Sequence, residues 1–140
     1  ELEKEARTDG LTGLANYHYF SERIEEEFTR IKQRSSPRSL ILMDIDHFKG
    51  INDTHGHAVG DLIWQCLASI LKQTTRHMDL AWRCGGHEFV ILLPETGIEE
   101  AQGLCQQLLE GVKAKDSSQE LPNFSISVDC STFPDNSTTI

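Results

Sequence analysis

The chain has 140 residues, of which 38% are hydrophobic and 25% are charged, as in an ordinary globular domain. Its formal net charge of −9 argues against unaided binding to a nucleic-acid backbone or an anionic membrane surface, because both are negatively charged themselves. No apolar run approaches the roughly 20 residues of a membrane helix, and the cysteines form no CxxC pair. We therefore expect reduced thiols and a cytoplasmic location.

The beginning of the chain favours helices. Residues 1–8 are charged and rich in helix formers, which predicts the end of an upstream signalling helix, followed by one domain over residues 9–140. Apolar residues then recur at helical spacing and predict an amphipathic helix from residue 17 to about residue 34. These apolar residues are Phe20, Ile24, Phe28 and Ile31.

A strand and a second helix come next. Residues 40–43 are continuously apolar and lead into Asp44 and Asp46, which predicts a buried central strand with carboxylates at its tip. The polar stretch 52–57 predicts a turn before the second helix. The expected apolar face of that helix consists of Leu62, Ile63, Cys66, Leu67, Ile70 and Leu71.

A hairpin, a third helix and a final strand complete the pattern. Residues 80–83 and 89–93 flank the Gly85-Gly86 pair as hairpin strands. Apolar spacing predicts a helix between residues 101 and 112, and alternation predicts a strand between residues 124 and 131. The resulting order predicts an α+β fold, a ferredoxin-like βαββαβ arrangement with an antiparallel central sheet flanked by helices. Because its first and third strands are central, we expect Asp44 to lie beside the diglycine turn.

Asp44 and Asp46 allow two interpretations. Carboxylates at the end of an apolar strand are costly unless a cation uses them, and Mg²⁺ takes such oxygen ligands together with backbone carbonyls and substrate phosphates. An isolated Asp-x-Asp pattern is more often a solvated strand end or a helix cap. The pattern alone leaves both interpretations open.

Polar residues after this strand are similarly ambiguous. Lys49 can meet a phosphate, and Asn52 with Asp61 can bind the polar edge of a purine. Ordinary turn chemistry accounts for the same residues, since Asn52-Asp53 favours a turn and Asp61 can serve as a helix N-cap. These residues do not decide between the two interpretations.

Four segments carry ordered motifs. They are Asp9-Gly10-Leu11-Thr12-Gly13-Leu14-Ala15-Asn16, Asp44-Ile45-Asp46-His47-Phe48-Lys49-Gly50-Ile51-Asn52-Asp53, Gly56-His57-Ala58-Val59-Gly60-Asp61 and Gly85-Gly86-His87-Glu88-Phe89. In this order and spacing, over residues 9 to about 131, they resemble the signatures of the GGDEF family, the diguanylate cyclases.

The resemblance implies a palm-like sheet of the nucleotidyl cyclase type. Each domain of this bacterial family holds one GTP, and two domains meet face to face to join two GTP molecules into cyclic di-GMP and pyrophosphate. By analogy, Asp44 and the carbonyl of Ile45 would bind Mg²⁺ or Mn²⁺, which neutralises the polyphosphate and activates the attacking 3′-hydroxyl. The implied GTP contacts are Asn52 and Asp61 for guanine, Phe48 and Lys49 for phosphate, and Gly85 and Gly86 along the turn.

The resemblance also implies partners. These are GTP, cyclic di-GMP, and a second copy or another signalling domain of a longer protein, with no nucleic acid and no membrane contact by this domain. Arg76-His77-Met78-Asp79 matches the family's RxxD product-inhibition site just upstream of the diglycine turn. Arg76 can bind a guanine edge or phosphate with two hydrogen bonds, and Asp79 can accept one from a guanine N–H. RxxD by itself is common on solvated surfaces, but at this distance from the turn it favours a cyclic di-GMP site.

The signature departs from the family at its third position. His87 stands where the family has Asp or Glu, the second metal ligand, which also takes part in removing the proton from the attacking hydroxyl. An imidazole brings no negative charge and offers nitrogen to a metal that prefers oxygen, although neutral histidine can act as a base near its pKa of about 6.5. Glu88 keeps the fourth position, which is a different place in space. We expect weak metal binding and strongly reduced or absent cyclase activity.

Other departures concern GTP binding. Tyr17 and His18 replace commonly found arginines, and Asp129 stands where the last strand usually has glycine. The chain ends before the family's final helix, whose basic residues contact phosphate, and we expect weaker GTP binding if the native protein lacks that helix. A competing zinc site lacks any recognised ligand spacing. Its candidate ligands are His47, His55, His57, His87 and Cys84.

These observations favour a degenerate GGDEF domain that binds cyclic di-GMP, and secondarily GTP, as a regulatory module. The alternative is a working diguanylate cyclase that tolerates His87. A third hypothesis, a structural dimerisation unit that binds neither nucleotide, is disfavoured by the presence of Asn52, Asp61 and Arg76.

Overall fold

The computed structural model describes residues 9–33, 36–84, 88–114 and 121–134. The helices within these ranges are α1 (Tyr17–Gln33), α2 (Phe48–His55), α3 (His57–Thr74) and α4 (Ile98–Ala114). The strands are β1 (Arg38–Ile45), β2 (Leu80–Arg83), β3 (Glu88–Leu93) and β4 (Ile126–Phe133). The predicted upstream helix, residues 1–8, and the hairpin tip, residues 85–87, lie outside the described residues. Within the described ranges, no helix is both long enough and apolar enough to cross a membrane.

The four strands form one antiparallel sheet in the order β2-β3-β1-β4. The first and third strands are therefore central, which confirms the predicted βαββαβ palm, with one extra short helix, α2. The register pairs Asp44 with Glu88 on one side and with Ser127 on the other. The end of β1 thus lies beside the first residue of β3, whereas the diglycine turn that we expected next to Asp44 lies outside the described residues.

The main core lies on one face of the sheet. Alternate residues of the two central strands point towards α3 and α4 and are buried there, because side chains along a strand alternate between faces. Fully buried residues of this core include Ile41, Met43, Phe89 and Ile91 from the sheet, with Trp64, Leu67, Leu71 and Leu108 from the helices. Leu62 was expected in this core but is 50% exposed, because it lies on the outer side of α3.

The opposite face of the sheet is covered only in part. Helix α1 packs Phe20 against Trp82 with ring centroids 5.0 Å apart, and Ile24 joins the same small cluster. Towards the end of β1 this cover stops, and Leu42 is 52% exposed. The uncovered part of the sheet is where Asp44 and Glu88 lie.

The predicted turn over residues 52–57 is wrong. Residues 48–55 form helix α2, and the chain breaks only at Gly56, whose φ of +93° is a conformation that other residues rarely adopt. Helix α3 begins at once with His57. Asp61 therefore lies inside α3, and its interpretation as a helix N-cap is also wrong.

The first motif ties the segment before α1 to the edge of the sheet. The Asp9 carboxylate accepts hydrogen bonds from the Thr12 amide (3.0 Å) and hydroxyl (2.7 Å). Ala15 then forms a parallel bridge with Trp82, and its amide donates to the carbonyl of Ala81 at 2.9 Å. This bridge covers part of the free edge of β2, which would otherwise expose unpaired backbone groups.

A buried ion pair joins α1 to β1. The side chains of Glu27 and Arg38 are 3% and 2% exposed, and Arg38 Nε donates to Glu27 Oε1. Arg38 Nη1 also donates to the hydroxyl and the carbonyl of Ser36, both at 2.8 Å. Among the described residues, nothing accepts a hydrogen bond from Arg38 Nη2. Because a buried charge is costly without its partner, α1 and β1 depend on each other here.

Candidate functional site

The open part of the sheet forms an acidic cleft of about 290 Å³. Its polar lining consists of Asp44, Glu88, Ser127 and Asp129. Alternation along the strands places these side chains on the face that α1 leaves uncovered. Three carboxylates therefore share one surface with no cation among its lining residues.

The electrostatics of this cleft suit a hard cation. No described side chain donates a hydrogen bond to Asp44, and among the described residues the Glu88 carboxylate accepts one only from the Cys84 thiol, 3.8 Å away. Burial, and then the negative charge of Glu88, raises the pKa of the Cys84 thiol. Ile45 is 1% exposed, so its side chain is not available to a ligand. The exposed donors of the cleft are carboxylate oxygens. This oxygen donor set is the kind that Mg²⁺ or Mn²⁺ takes.

The described residues supply only part of a metal site. Among them, no three His, Cys, Asp or Glu side chains converge closely enough to hold a metal ion. A cation at Asp44 would therefore need further ligands, such as phosphate oxygens. His87, together with Gly85 and Gly86, lies outside the described residues, and of the zinc-site candidates, His47, His55 and His57 are exposed side chains.

Asn52 packs against Gly60, the residue before Asp61, at the junction of α2 and α3. Asn52 Oδ1 is buried, and no described residue donates a hydrogen bond to it. A Cβ atom on Gly60 would overlap this oxygen and approach the Phe48 ring to 3.2 Å, so the glycine makes room for the amide. The exposed Asp61 follows directly. An unpaired buried acceptor costs about 1–3 kcal/mol, and a ligand with N–H donors would satisfy it.

Gly60→Ala tests this packing. Alanine is the better helix former by about 1 kcal/mol, yet we expect the added methyl group to displace Asn52 and to lower the free energy of unfolding by about 1 kcal/mol or more. Urea denaturation measures the change. Gly103→Ala is the matched control, because a Cβ there meets nothing within 4 Å, and it should stabilise the protein. Equal stabilisation by both substitutions would contradict the packing around Asn52.

The start of α2 can meet an anion through its backbone. His47 has φ +55° and provides no side-chain hydrogen bond to the first turn, so the amides there have no side-chain cap. The Phe48 ring packs edge-on against Trp64, with ring centroids 5.8 Å apart. Because the ring is used in this packing, Phe48 would contact a phosphate through its backbone amide. Lys49 is exposed on the same turn.

Trp64 connects this helix to the hairpin. It is fully buried, contacts Phe89 at 4.4 Å between ring centroids, and lies under the Arg83 guanidinium at 4.1 Å. Arg83 is the last residue of β2 before the hairpin tip. The base of the hairpin and the start of α2 therefore share one aromatic support.

Asp46 does not face the cleft as a free carboxylate. Its two oxygens accept hydrogen bonds from the hydroxyls of Ser125 (2.7 Å) and Ser127 (2.6 Å). These hydrogen bonds hold the pKa of the Asp46 carboxyl below its ordinary value. The two aspartates of the motif thus have different surroundings, a distinction that the sequence pattern did not reveal.

Arg76 and Asp79 form a closed pair. Arg76 donates to the Asp79 carboxylate through Nε (3.1 Å) and Nη2 (2.9 Å), and its backbone amide donates at 2.7 Å. The side chain of Asp79 is fully buried, whereas the side chain of Arg76 is 39% exposed. The hydrogen bonds to Asp79 raise the pKa of Arg76, so the cation is permanent. The two residues are therefore more than a solvated surface pattern.

Thr96 completes this arrangement and was missed by the sequence reasoning. Its hydroxyl accepts a hydrogen bond from Arg76 Nη2 and donates to the carbonyl of Pro94 at 2.8 Å. The guanidinium is thus fixed on one side, while its Nη1 has no acceptor among the described residues. It borders a groove of about 270 Å³ with Leu93 and Leu104 in its lining. A fixed cation beside a partly apolar groove suits a flat, anionic ligand.

Comparison with known proteins agrees with these features. Residues 6–140 match the family described as "Diguanylate cyclase, GGDEF domain". The chain is 41% identical over 111 residues to the diguanylate cyclase DgcP of Pseudomonas aeruginosa. The aligned region is 79% of this chain and 16% of DgcP. The chain thus spans only a small part of that relative's length.

Two solved structures resemble the fold. The diguanylate cyclase SiaD of Pseudomonas aeruginosa, in complex with its activator SiaC, superposes with a TM-score of 0.86 at 31% identity, over 99% of this chain and 55% of that one. The coiled coil and GGDEF domain of DgcB from Caulobacter crescentus, in complex with cyclic di-GMP, also gives 0.86, at 26% identity over 94% and 71% of the two chains.

Proposed function

The chain belongs to the GGDEF family of diguanylate cyclase domains, and from this premise we propose that it is a nucleotide-binding regulatory module of cyclic di-GMP signalling with impaired cyclase chemistry. The observation that carries the proposal is the Arg76 guanidinium, held by Asp79 and Thr96 at the rim of an open groove. We place this module in the cytoplasm of a bacterial cell, where GTP is available.

Arg76 is the anchor for cyclic di-GMP. Its fixed orientation means that little side-chain entropy is lost on binding, and its exposed edge can donate to a phosphate or to the acceptor edge of guanine. Asp79 orients the guanidinium and becomes available to a guanine N–H if the pair opens. The half-buried Leu104 offers an apolar surface on which a base can lie.

GTP is the proposed second ligand. The buried Asn52 Oδ1 and the neighbouring Asp61 carboxylate are both acceptors, which matches the N1–H and N2–H₂ donors of guanine. The backbone amides of the first turn of α2 and the exposed Lys49 are placed to meet phosphates. This assignment gives the unsatisfied oxygen of Asn52 a function.

Asp44 and the carbonyl of Ile45 would hold Mg²⁺ or Mn²⁺ in this site. A bound cation would neutralise phosphate charge and lower the pKa of the attacking hydroxyl. Residue 87 is a histidine and supplies no carboxylate to a cation, which supports weak metal binding and an impaired reaction. Asp129 adds negative charge to the same cleft and opposes an incoming triphosphate.

A working cyclase is the second candidate. The register places Glu88 directly opposite Asp44 on the open face, so two carboxylates are present there without residue 87. Such a cyclase would still need two domains to meet, and we propose a second copy, or another signalling domain of a longer protein, as the partner.

Arg76→Ala tests the main proposal. Removing the guanidinium takes away the one positively charged side chain among the residues that line the groove, so we expect the affinity for cyclic di-GMP to fall about 100-fold or more. Isothermal titration calorimetry of the unaltered and altered proteins measures it. Lys113→Ala removes an exposed cation elsewhere on α4 and should leave the affinity unchanged.

Two results would contradict the proposal. Absence of cyclic di-GMP binding to the unaltered protein would overturn it, and so would equal affinity after Arg76→Ala. Rapid conversion of GTP to cyclic di-GMP by the unaltered protein would favour the second candidate.

A further inference from the structure

The second aspartate of the Asp44-Ile45-Asp46 motif joins the end of β1 to the start of β4. In addition to the two serine hydroxyls that donate to its carboxylate, its backbone amide donates to the carbonyl of Ser125 at 2.9 Å. The partners lie 79 and 81 residues away along the chain. Three hydrogen bonds thus fix one residue at the point where the chain leaves the sheet.

This arrangement also determines where the Ser127 hydroxyl points. Ser127 is the register partner of Asp44, and its hydroxyl lies on the same face of the sheet. The Ser127 hydroxyl donates its hydrogen bond to Asp46 and therefore does not donate one to Asp44. Among the described residues, no side chain donates a hydrogen bond to Asp44. The Asp44 oxygens are therefore kept for another partner.

The turn that follows has little other support. His47 adopts φ +55°, a left-handed conformation that costs roughly 1 kcal/mol for a residue with a side chain. Its side chain makes no capping hydrogen bond to α2. The direction in which α2 leaves the sheet, and with it the positions of Phe48 and Lys49, therefore depends on the residue before the turn.

We propose that Asp46 is a positioning residue for the nucleotide–metal site, which it serves through Ser125 and Ser127 rather than by binding the cation. This inference rests on the proposed GTP site. Asp46 keeps the serine hydroxyls away from Asp44 and holds the turn that presents the amides of α2. Its loss should weaken metal-dependent GTP binding and leave the Arg76 site intact.

The test uses Asp46→Ala and Ser127→Ala. The affinity for a non-hydrolysable GTP analogue is measured by calorimetry in Mn²⁺ and again in EDTA, and the affinity for cyclic di-GMP is measured on the same samples. We expect Asp46→Ala to lower the affinity in Mn²⁺ by about 10- to 100-fold, the usual range for residues that support metal ligands. The affinity in EDTA should fall less, because only the contacts of α2 can be lost there, and the affinity for cyclic di-GMP should not change.

Two further variants make the test specific. In Asp46→Asn, the side-chain oxygen can still accept a hydrogen bond from one serine, and the NH₂ group can donate one to the hydroxyl oxygen of the other. This variant should therefore keep most of the affinity in Mn²⁺. Ser131→Ala makes the same substitution as Ser127→Ala, on β4 but away from Asp46, and should have no effect. Ser127→Ala removes a single hydroxyl and remains informative if Asp46→Ala does not fold.

Each outcome decides a separate point. If the unaltered protein binds no GTP analogue in Mn²⁺, the proposed GTP site and the role of Asp46 are both overturned. If it binds and neither Asp46→Ala nor Ser127→Ala weakens binding, only the role of Asp46 is overturned. An equal loss of cyclic di-GMP affinity would show a general structural effect and would also overturn it.

Discussion

Substituting His87→Asp should increase diguanylate cyclase activity by about 100-fold or more, the scale associated with a well-placed acid–base group. The substitution puts a carboxylate directly before Glu88, which is the register partner of Asp44. Mg²⁺ binds a negatively charged carboxylate oxygen more strongly than a neutral imidazole nitrogen. The new carboxylate can also take part in removing the proton from the 3′-hydroxyl. GTP is incubated with Mg²⁺ or Mn²⁺ and cyclic di-GMP is quantified by chromatography.

The controls for this experiment are substitutions of Asp44 and Glu88, which are register partners on β1 and β3. Asp44→Asn in the His87→Asp background should return activity to the starting level, because the cation loses its first ligand. Glu88→Gln in the unaltered chain should remove any residual activity that Glu88 supports from its position opposite Asp44. No gain from His87→Asp would contradict the view that this position limits the reaction.

Glu27→Ala should lower the free energy of unfolding by about 3–5 kcal/mol, as expected when one partner of a buried ion pair is removed. Arg38 would keep a charge that is 2% exposed, with only the carbonyl and hydroxyl groups near Ser36 to accept its hydrogen bonds. Urea denaturation followed by circular dichroism measures the change.

Two variants show that burial of the charge is the cause. Glu26→Ala removes a carboxylate one position away that is 57% exposed, and we expect a change within about 0.5 kcal/mol. Replacing both partners, Glu27→Leu with Arg38→Met, should recover much of the lost stability because no charge is left buried. A loss below about 1 kcal/mol for Glu27→Ala would show that water reaches this pair.

The order of strands and helices could be read from the sequence because each element carries its own local pattern. The apolar run of β1 and the alternation in β4 identified both strands, and the placement of Asp44 beside the hairpin followed from the topology. The error over residues 52–57 has a local origin. Asn, Asp and Gly are common in turns, but here the residues up to His55 continue a helix and only Gly56 breaks it.

The contacts that define the site could not be predicted in this way, because they join residues far apart in the sequence. The hydrogen bonds of Asp46 reach β4, and the bond from Arg76 to Thr96 spans 20 residues. The pairing of Glu27 with Arg38 likewise depends on how α1 crosses β1. The spacing of apolar residues predicts the helix or strand to which a residue belongs. Its hydrogen-bond partner depends on how several elements pack together.

The two tryptophans of the chain lie on opposite faces of the sheet. Trp64 contacts Phe48, Phe89 and Arg83, and thus the elements that border the nucleotide-binding residues. Trp82 lies under α1, in contact with Phe20 and Tyr17. The domain therefore carries two native tryptophan fluorophores. The fluorescence of Trp64 should respond to changes near the proposed nucleotide site, and that of Trp82 to changes in the packing of α1 on the sheet.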